Sequence, residues 1–265
     1  MKLSSSLHLA VDDLATGLSS VQVWAALGWQ DVKQRYRRSQ LGPFWLTIST
    51  GIMVAIMGPL YGKLFAQDFS SYFSFLTIGF VLWQMISQTM IDSCTTFIQA
   101  ESFIKQIKLP LSVHVLRVVW KNLIFFMHNL VVVIVVLVYL QIPVTANLLL
   151  FPLGVVAFAL NAFLYGLIIA VICARFRDIP IIVTNVVQAA FFLTPILWQP
   201  GMLGRHAWSV NLNPIYHFLE VMRAPLLGVP ADPTSWAAVA AITLTGSLLA
   251  VAILKRYRAR VPYWV

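Results

Sequence analysis

The sequence predicts an all-α integral membrane protein with six transmembrane helices, and three observations support this fold class. Of its 265 residues, 60% are hydrophobic and only 10% are charged. Water-soluble domains contain about 25% charged residues, so a soluble enzyme is excluded. The chain also has five uncharged stretches, each longer than the roughly 20 residues that a membrane-spanning helix needs. Its basic residues, finally, fall mainly on one of the two sides that these stretches separate.

The uncharged stretches cover residues 39–62, 69–91, 122–174, 179–204 and 233–254. The third would be about 80 Å long as a single helix, so we expect it to contain two spans. Pro143 lacks a backbone donor and Asn147 can cap a helix, which places the turn at 141–147. The transmembrane domain is therefore predicted at 39–257, with spans at about 41–62, 70–98, 113–140, 147–173, 179–198 and 234–255.

The distribution of basic residues predicts the orientation of these spans. Fifteen of the 18 Lys and Arg residues lie on the side of the two termini, and only Lys63, Arg205 and Arg223 lie on the other. The positive-inside rule then places both termini, including a tail at 258–265, in the cytoplasm. This asymmetry accounts for the net charge of +9, so no nucleic-acid partner is expected.

The segment 1–38 is predicted to be a cytoplasmic interface segment. Apolar residues recur there at steps of three and four, at Leu7, Val11, Leu14, Leu18, Val21 and Trp24. This spacing predicts an amphipathic helix over 6–28 that lies on the inner membrane surface, or alternatively packs against protein. Asp12 and Asp13 interrupt the apolar run, so no cleavable signal peptide is expected.

The segment 199–232 is apolar but is divided by five prolines into pieces too short to cross the membrane. It predicts short re-entrant helices at an outer mouth, with a plain interfacial loop as the alternative. Glu220 and Arg223 are spaced i,i+3 and are expected to form a weak ion pair at its rim.

The segment 101–110 mixes Phe103, Ile104 and Ile107 with charged residues and stops at Pro110. It predicts a short cytoplasmic helix that either docks into a groove of a soluble partner or lies on lipid.

Catalytic chemistry is not indicated. Asp92 and His128 are ionisable residues inside predicted spans, and the pattern favours structural hydrogen bonds over a proton relay. The segment 58–64 is one residue shorter than a P-loop and lacks its Ser or Thr. No metal-ligand spacing is present, so we expect neither enzyme activity nor a bound cofactor in this chain. A membrane transferase acting on lipid-linked glycan remains an alternative, although the nine acidic residues of this chain are not clustered in sequence as a catalytic site would need. An ion-coupled transporter is less favoured because no internal repeat is visible.

Aromatic residues occur on the first and fifth predicted spans, at Trp45, Phe191, Phe192 and Trp198. They are typical of an interfacial belt, and aromatic rings could also stack on sugars along a pathway.

Three motifs resemble the permease subunits of polysaccharide-exporting ATP-binding-cassette (ABC) transporters. They are Arg-Tyr-Arg-Arg-Ser-Gln-Leu-Gly-Pro-Phe-Trp at 35–45, Arg-Phe-Arg-Asp at 175–178 with Phe-Leu-Thr-Pro-Ile at 192–196, and Asn-Pro-Ile-Tyr at 213–216 with Arg223. The resemblance implies a homodimer in the bacterial inner membrane that binds two copies of a separate ATPase, which would hold ATP and magnesium. It implies export of O-antigen, capsular polysaccharide or teichoic acid on a polyprenyl-pyrophosphate lipid carrier. A drug-exporting ABC permease remains an alternative.

The resemblance also implies roles for particular residues. Coupling to the ATPase is expected from Glu101, Phe103, Ile104, Lys105 and Lys108. An entrance for the lipid pyrophosphate is expected at Arg35, Tyr36, Arg37 and Arg38, because phosphates bind arginine. A channel lining is expected from the four aromatic residues of the first and fifth spans, and an outer gate from Asn213, Pro214, Tyr216, Glu220 and Arg223.

Overall fold

A computed structural model describes residues 2–37, 40–42 and 44–265, and every regular element in these ranges is helical. The α-helices are α1 (Lys2–Ser19), α2 (Val21–Tyr36), α3 (Phe44–Leu64), α4 (Phe69–Gln99), α5 (Glu101–Gln106), α6 (Leu111–Tyr139), α7 (Leu150–Arg175), α8 (Ile179–Leu193), α9 (Pro214–Leu226), α10 (Pro233–Tyr257) and α11 (Val261–Trp264). Short 3-10 segments occupy Ala146–Leu149, Pro200–Leu212 and Arg258–Arg260.

Five helical segments of the described chain are long and apolar enough to cross a membrane: Phe44–Leu64, Phe69–Gln99, Leu111–Tyr139, Ala146–Arg175 and Pro233–Trp264. Helix α8 is apolar but has only 15 residues. A helix of this length measures about 22 Å, whereas the hydrocarbon core is about 30 Å thick. The expected all-α membrane protein is confirmed, and the segment predicted as the fifth span, 179–198, is helical only as far as Leu193.

Helix α4 is the centre of the bundle and contacts α3, α6, α7, α8 and α9. Most of its residues are buried, from Tyr72 near one end to Phe97 near the other. Helix α10 packs against α7 and α9. The first helices, α5 and the last helix all lie at one end of the bundle, because α1 contacts α10 and α11 contacts α5. We call this the termini end.

The N-terminal segment forms two helices, so the prediction of one helix over 6–28 was wrong. The chain turns at Ser20, and α1 and α2 then both pack against the first half of α6. Gly17 permits this close approach, because a Cβ at that position would lie 1.9 Å from Ser112 Oγ. Four residues of the predicted apolar stripe remain exposed, namely Leu7, Val11, Leu18 and Val21.

Asp13 joins three parts of the chain at the termini end. Its carboxylate accepts hydrogen bonds from the backbone N–H groups of Leu111 and Ser112, each at 3.1 Å. These are the first residues of α6, whose preceding residue Pro110 has no side-chain acceptor that could cap the helix. The same carboxylate accepts from Arg258 Nε at 2.7 Å. Asp13 therefore supplies a helix cap from a distant part of the chain.

Candidate functional site

Helix α3 packs through one narrow stripe and leaves its other faces open. Its buried residues are Thr50, Val54, Gly58 and Gly62, which recur every four positions and therefore share one face. A Cβ at Gly58 would lie 2.1 Å from the Phe73 ring of α4, so the stripe depends on small residues.

Helix α8 is the second open helix, and Val187 is its only buried residue. Asn185 and Gln188 are exposed on α8 and have no hydrogen-bond partner among the described residues. An amide without a partner costs roughly 2–7 kcal/mol in an apolar environment. This face therefore requires water, a ligand or another chain beside it. Sequence reasoning selected aromatic residues and missed these amides, although two amides at i,i+3 in a short apolar helix were a visible signal.

A cavity of about 350 Å³ lies between α3, α4 and α6. Its polar lining comprises Arg35, Ser49, Thr50, Gln84, Ser87, Gln88, Asn122 and Asn129. Gln84 Oε1 accepts from Asn129 Nδ2 at 2.9 Å and from Thr50 Oγ1 at 3.1 Å. Asn122 Oδ1 is buried without a partner in the described part of the chain. The cavity thus offers amide donors and acceptors between helices that are otherwise apolar, and these residues were also missed from the sequence.

Basic residues stand where this cavity reaches the termini end. The Arg35 guanidinium lies 4.8 Å from the centroid of the Phe125 ring, and Tyr36 meets the same ring edge-on at 6.0 Å. Burial raises the pKa of Tyr36, so its hydroxyl remains a donor at neutral pH. Within the described ranges, neither Arg35 nor the exposed Arg37 has a carboxylate within 4 Å. Arg38 lies outside the described residues.

The two ionisable groups noted inside the spans serve packing. Asp92 pairs with Lys121 at 2.7 Å and accepts from Gln88 Nε2 at 2.7 Å and Asn122 Nδ2 at 3.1 Å. His128 Nδ1 lies 2.7 Å from the carbonyl oxygen of Ile124, one turn earlier in its own helix. The pairing supports the structural interpretation of Asp92 over a proton relay.

The four predicted aromatic residues do not form one cluster. Trp45 is 58% exposed at the start of α3, whereas the other three lie at or beyond the end of α8. Phe191 packs against Trp83 with ring centroids 5.7 Å apart, and Phe192 is 69% exposed. Trp198 Nε1 donates to the Phe192 carbonyl at 3.0 Å. Trp45 and Phe192 therefore border the open faces of α3 and α8, and Phe191 is partly covered.

The chain beyond α8 is non-helical and buried, and polar side chains satisfy its backbone. Arg223 Nη1 donates to the Pro195 carbonyl at 2.8 Å, and Tyr72 Oη donates to the Leu197 carbonyl at 2.5 Å. Asn213 Nδ2 donates to Thr194 Oγ1 at 2.9 Å. Non-helical backbone inside a membrane protein needs such partners. We call this arrangement the α8–α9 junction, and in it two of the three sequence motifs meet.

Arg223 corrects a prediction made from the sequence. It pairs with Glu220 at 2.8 Å, but its side chain is only 2% exposed and its guanidinium lies 4.0 Å from the centroid of the Phe75 ring. The predicted pair is therefore confirmed, but its location at a rim was wrong, because Arg223 lies inside the protein and binds the Pro195 carbonyl.

The rest of the predicted outer gate surrounds α9. Asn213 caps this helix by accepting from the Ile215 N–H at 3.0 Å, and Pro214 occupies its first turn. Tyr216 is half-buried, and burial raises the pKa of its hydroxyl. Helix α9 is buried among α4, α7 and α10, whereas most of the 3-10 segment Pro200–Leu212 is exposed.

Helix α5 is a separate short helix at the termini end. Glu101 and Lys105 form an exposed ion pair at 2.6 Å, and Lys105 holds the pKa of the Glu101 carboxyl below its usual value. The predicted apolar face is divided: Phe103 and Ile104 are half-buried and Ile104 packs on the core, while Ile107 is 49% exposed.

A groove of about 450 Å³ runs beside α5, between α1 and the C-terminal segment. Its lining includes Asp12, Ile107, Lys108, Arg258 and Pro262. The groove therefore combines an apolar floor with charges of both signs.

The carboxylates of the chain stabilise its structure. Five of the nine acidic residues form ion pairs: Asp13 with Arg258, Asp31 with Arg117, Asp92 with Lys121, Glu101 with Lys105, and Glu220 with Arg223. Asp68 and Asp232 cap α4 and α10. In the described ranges no three His, Cys, Asp or Glu side chains group as metal ligands. The segment 58–64, which partly resembles a P-loop, lies inside α3 and cannot wrap a phosphate.

The fold and the site together define a multi-pass helical membrane protein with an open face that bears two exposed amides. Residues 22–227 match the ABC-2 type transporter family, and the chain belongs to this family. The family resemblance predicted from the three motifs is thereby confirmed. Membership implies association with an ABC ATPase subunit.

Curated relatives are similar over most of the chain. The O-antigen export system permease protein RfbA of Klebsiella pneumoniae is 26% identical over 188 residues, which cover 70% of this chain and 73% of that protein. The protein of the same name from Myxococcus xanthus is 26% identical over 199 residues, covering 74% of this chain and 76% of the relative.

Proposed function

We propose that this chain is the channel-forming subunit of an ABC exporter for O-antigen or a related polysaccharide on a polyprenyl-pyrophosphate carrier. In this proposal two copies associate in the bacterial inner membrane with both termini in the cytoplasm, so that the termini end is the cytoplasmic end. Each copy binds one ATPase subunit, which holds ATP and magnesium, and the chain itself has no catalytic role. The similarity to two O-antigen export permeases supports the substrate class.

The observation on which this proposal rests is the open face of α8. Asn185 and Gln188 are exposed on a mostly apolar helix and have no hydrogen-bond partner in the part of the chain that the structure describes. Polar side chains inside a membrane protein usually face a water-filled pathway or another protein segment. Six helices enclose little space for a polymer, whereas two copies related by a twofold axis could enclose a pore between their open faces. Amides and aromatic rings such as Phe192 suit a hydroxyl-rich glycan.

The entrance is proposed at the basic mouth of the cavity between α3, α4 and α6. Arg35 and Arg37 have no acidic partner in the described chain, so their guanidinium groups are available to a pyrophosphate. Tyr36 adds a protonated hydroxyl beside them, and Arg38 directly follows Arg37 in the sequence. The residues of the α8–α9 junction and α9 are proposed to support the exit on the other side.

Coupling is proposed at α5 and its groove. Glu101, Lys105 and Lys108 are exposed there, and exposed Ile107 adds an apolar contact. An apolar contact surrounded by charged side chains is typical of an interface with a soluble protein such as the ATPase. Phe103 and Ile104 hold α5 against the bundle, so that a movement of the ATPase would be transmitted to α6 and the core.

The test is export in the native bacterium. Deletion of the gene should abolish surface polysaccharide and leave lipid-linked glycan inside the cell. When it is expressed in the deletion strain, the variant Asn185→Leu with Gln188→Leu should not restore surface polysaccharide, because it removes the polar lining. It should still fold, since leucine is favourable in lipid. Val186→Leu, an exposed change on the same helix, is the matched control and should restore export.

Surface polysaccharide that persists after deletion would refute the proposed substrate. Full export by the double-leucine variant would refute the pore assignment of α8 while leaving the substrate class intact. Purification in mild detergent should recover an ATPase with the wild-type chain and with both variants.

A further inference from the structure

A second cavity at the termini end brings together two arginines without acidic partners. It has a volume of about 410 Å³ and lies between the end of α7 and the C-terminal part of the chain. Arg175 and Arg260 both line it. Neither guanidinium forms a hydrogen bond or an ion pair with any described residue. Their N–H donors are therefore free to bind an anion.

Aromatic rings hold these guanidinium groups in place. Arg175 lies 5.7 Å from the centroid of the Phe176 ring and 5.6 Å from that of Trp264. Arg260 lies 6.0 Å from the centroid of Tyr257. Neighbouring Arg177 donates to the Trp264 carbonyl at 3.0 Å, which fixes that ring beside the cavity. Stacking occupies the faces of the guanidinium groups and leaves their N–H edges available.

The deeper wall of the cavity is aliphatic. Val171 and Ile172 lie about one turn before Arg175 on α7, and Ile253 lies one turn before Tyr257 on α10. Both helices reach the termini end at these residues, so the wall changes from aliphatic side chains to aromatic and basic ones towards that end. The same order occurs in a lipid monolayer, from acyl chains through the interface to the phosphate.

We propose that this cavity binds an anionic phospholipid. The phosphodiester lies between Arg175 and Arg260, and the part of the acyl chains nearest the headgroup packs against Val171, Ile172 and Ile253. Basic pockets between transmembrane helices recognise lipid phosphates in this way. An anionic headgroup is favoured over a zwitterionic one, because an added ammonium group would be repelled by two arginines. The inference is independent of the proposed transport function, since no residue of the cavity belongs to the proposed pore or entrance.

The experiment uses the full-length chain in phosphatidylcholine nanodiscs that contain a minor fraction of photoreactive phosphatidylglycerol. After illumination, mass spectrometry of the digested protein should locate the label on 171–176 and 253–264. Each arginine near an anionic phosphate contributes about fivefold to binding, so Arg175→Gln with Arg260→Gln should reduce labelling of these peptides about 25-fold. Lys33→Gln with Lys255→Gln removes the same charge from the termini end, at residues that neither line the cavity nor stack on its rings, and should label like the wild type.

Equal labelling of the two double variants would overturn the proposal. Displacement of the lipid by millimolar inorganic phosphate would also overturn it, because the site would then recognise free phosphate and not the lipid. If the first double variant fails to fold, Arg260→Gln alone tests the same point, because Arg260 is exposed and forms no ion pair or hydrogen bond with any described residue. Its labelling should fall about fivefold, and an unchanged value would refute the site.

Discussion

Asp13 should be the residue on which attachment of the N-terminal helices depends. Its side chain is 0% exposed in the ion pair with Arg258, and it accepts two backbone hydrogen bonds at the start of α6. Replacement by alanine would leave two buried N–H groups without a cap and one guanidinium without its partner. Asp12 precedes it in sequence but is exposed, and within the described ranges its side chain accepts a hydrogen bond only from Thr16, at 3.5 Å.

The expected cost follows from these contacts. A hydrogen bond to a charged group contributes about 1.5–3 kcal/mol, and the half-exposed Arg258 side chain adds at most about 1 kcal/mol. Because these groups act together, we expect Asp13→Ala to lower the local stability by about 3–5 kcal/mol, the range for breaking a buried ion pair. Asp13→Asn keeps one acceptor oxygen and should cost about 1–2 kcal/mol.

The assay is amide hydrogen exchange of the detergent-solubilised protein, read by mass spectrometry. A loss of about 3 kcal/mol corresponds to an increase of about a hundredfold in opening, so α1 and the first turn of α6 should exchange that much faster in Asp13→Ala. The control Asp12→Ala should stay within about 0.5 kcal/mol of the wild type. Equal exchange in the two variants would refute the capping role of Asp13.

Three further outcomes are expected. Gly58→Ala should lower the free energy of unfolding by about 1–3 kcal/mol, measured as a lower unfolding temperature, because its Cβ would lie 2.1 Å from a ring of α4. Gly51→Ala has open space around its Cβ and should not lower it. Similar losses in both variants would contradict the packing stripe of α3. Glu101→Lys should leave the protein folded, since a solvent-exposed ion pair contributes little to stability, but should uncouple ATP hydrolysis from export. The double variant Glu101→Lys with Lys105→Glu, which reverses the ion pair, should also be uncoupled. Wild-type export in Glu101→Lys would rule out docking through this residue. Asp232 has a pKa held below the usual 3.8 by the Thr234 N–H, so its cap stabilises α10 at neutral pH and is lost as the pH falls through that lowered value. The protection factor for exchange in the first turn of α10, which is corrected for the intrinsic pH dependence of the exchange rate, should then fall with acid in the wild type but not in Asp232→Asn.

Local sequence determined the membrane fold, because hydropathy and helix length depend on composition within each segment. It also indicated α5, since Phe103, Ile104 and Ile107 are mixed with charged residues in a short segment that stops at Pro110. The family motifs at 35–45, 175–196 and 213–223 were visible as strings of residues. The C-terminal end of α8 was not visible in the sequence, because the apolar run continues past Leu193 and hydropathy cannot distinguish a helix from a buried non-helical segment.

Tertiary structure decided which polar residues serve packing and which remain free. Asp12 and Asp13 are adjacent and chemically identical, yet only Asp13 is buried, through partners that are 98 and 245 positions away. Arg223 has the spacing of a surface pair with Glu220, but it binds the Pro195 carbonyl, 28 positions earlier. The spacing of Asn185 and Gln188 was visible in the sequence, but their exposure follows only from the packing of α8, which buries a single residue. Contacts between distant segments leave no periodic pattern in the sequence, so these assignments required the folded chain.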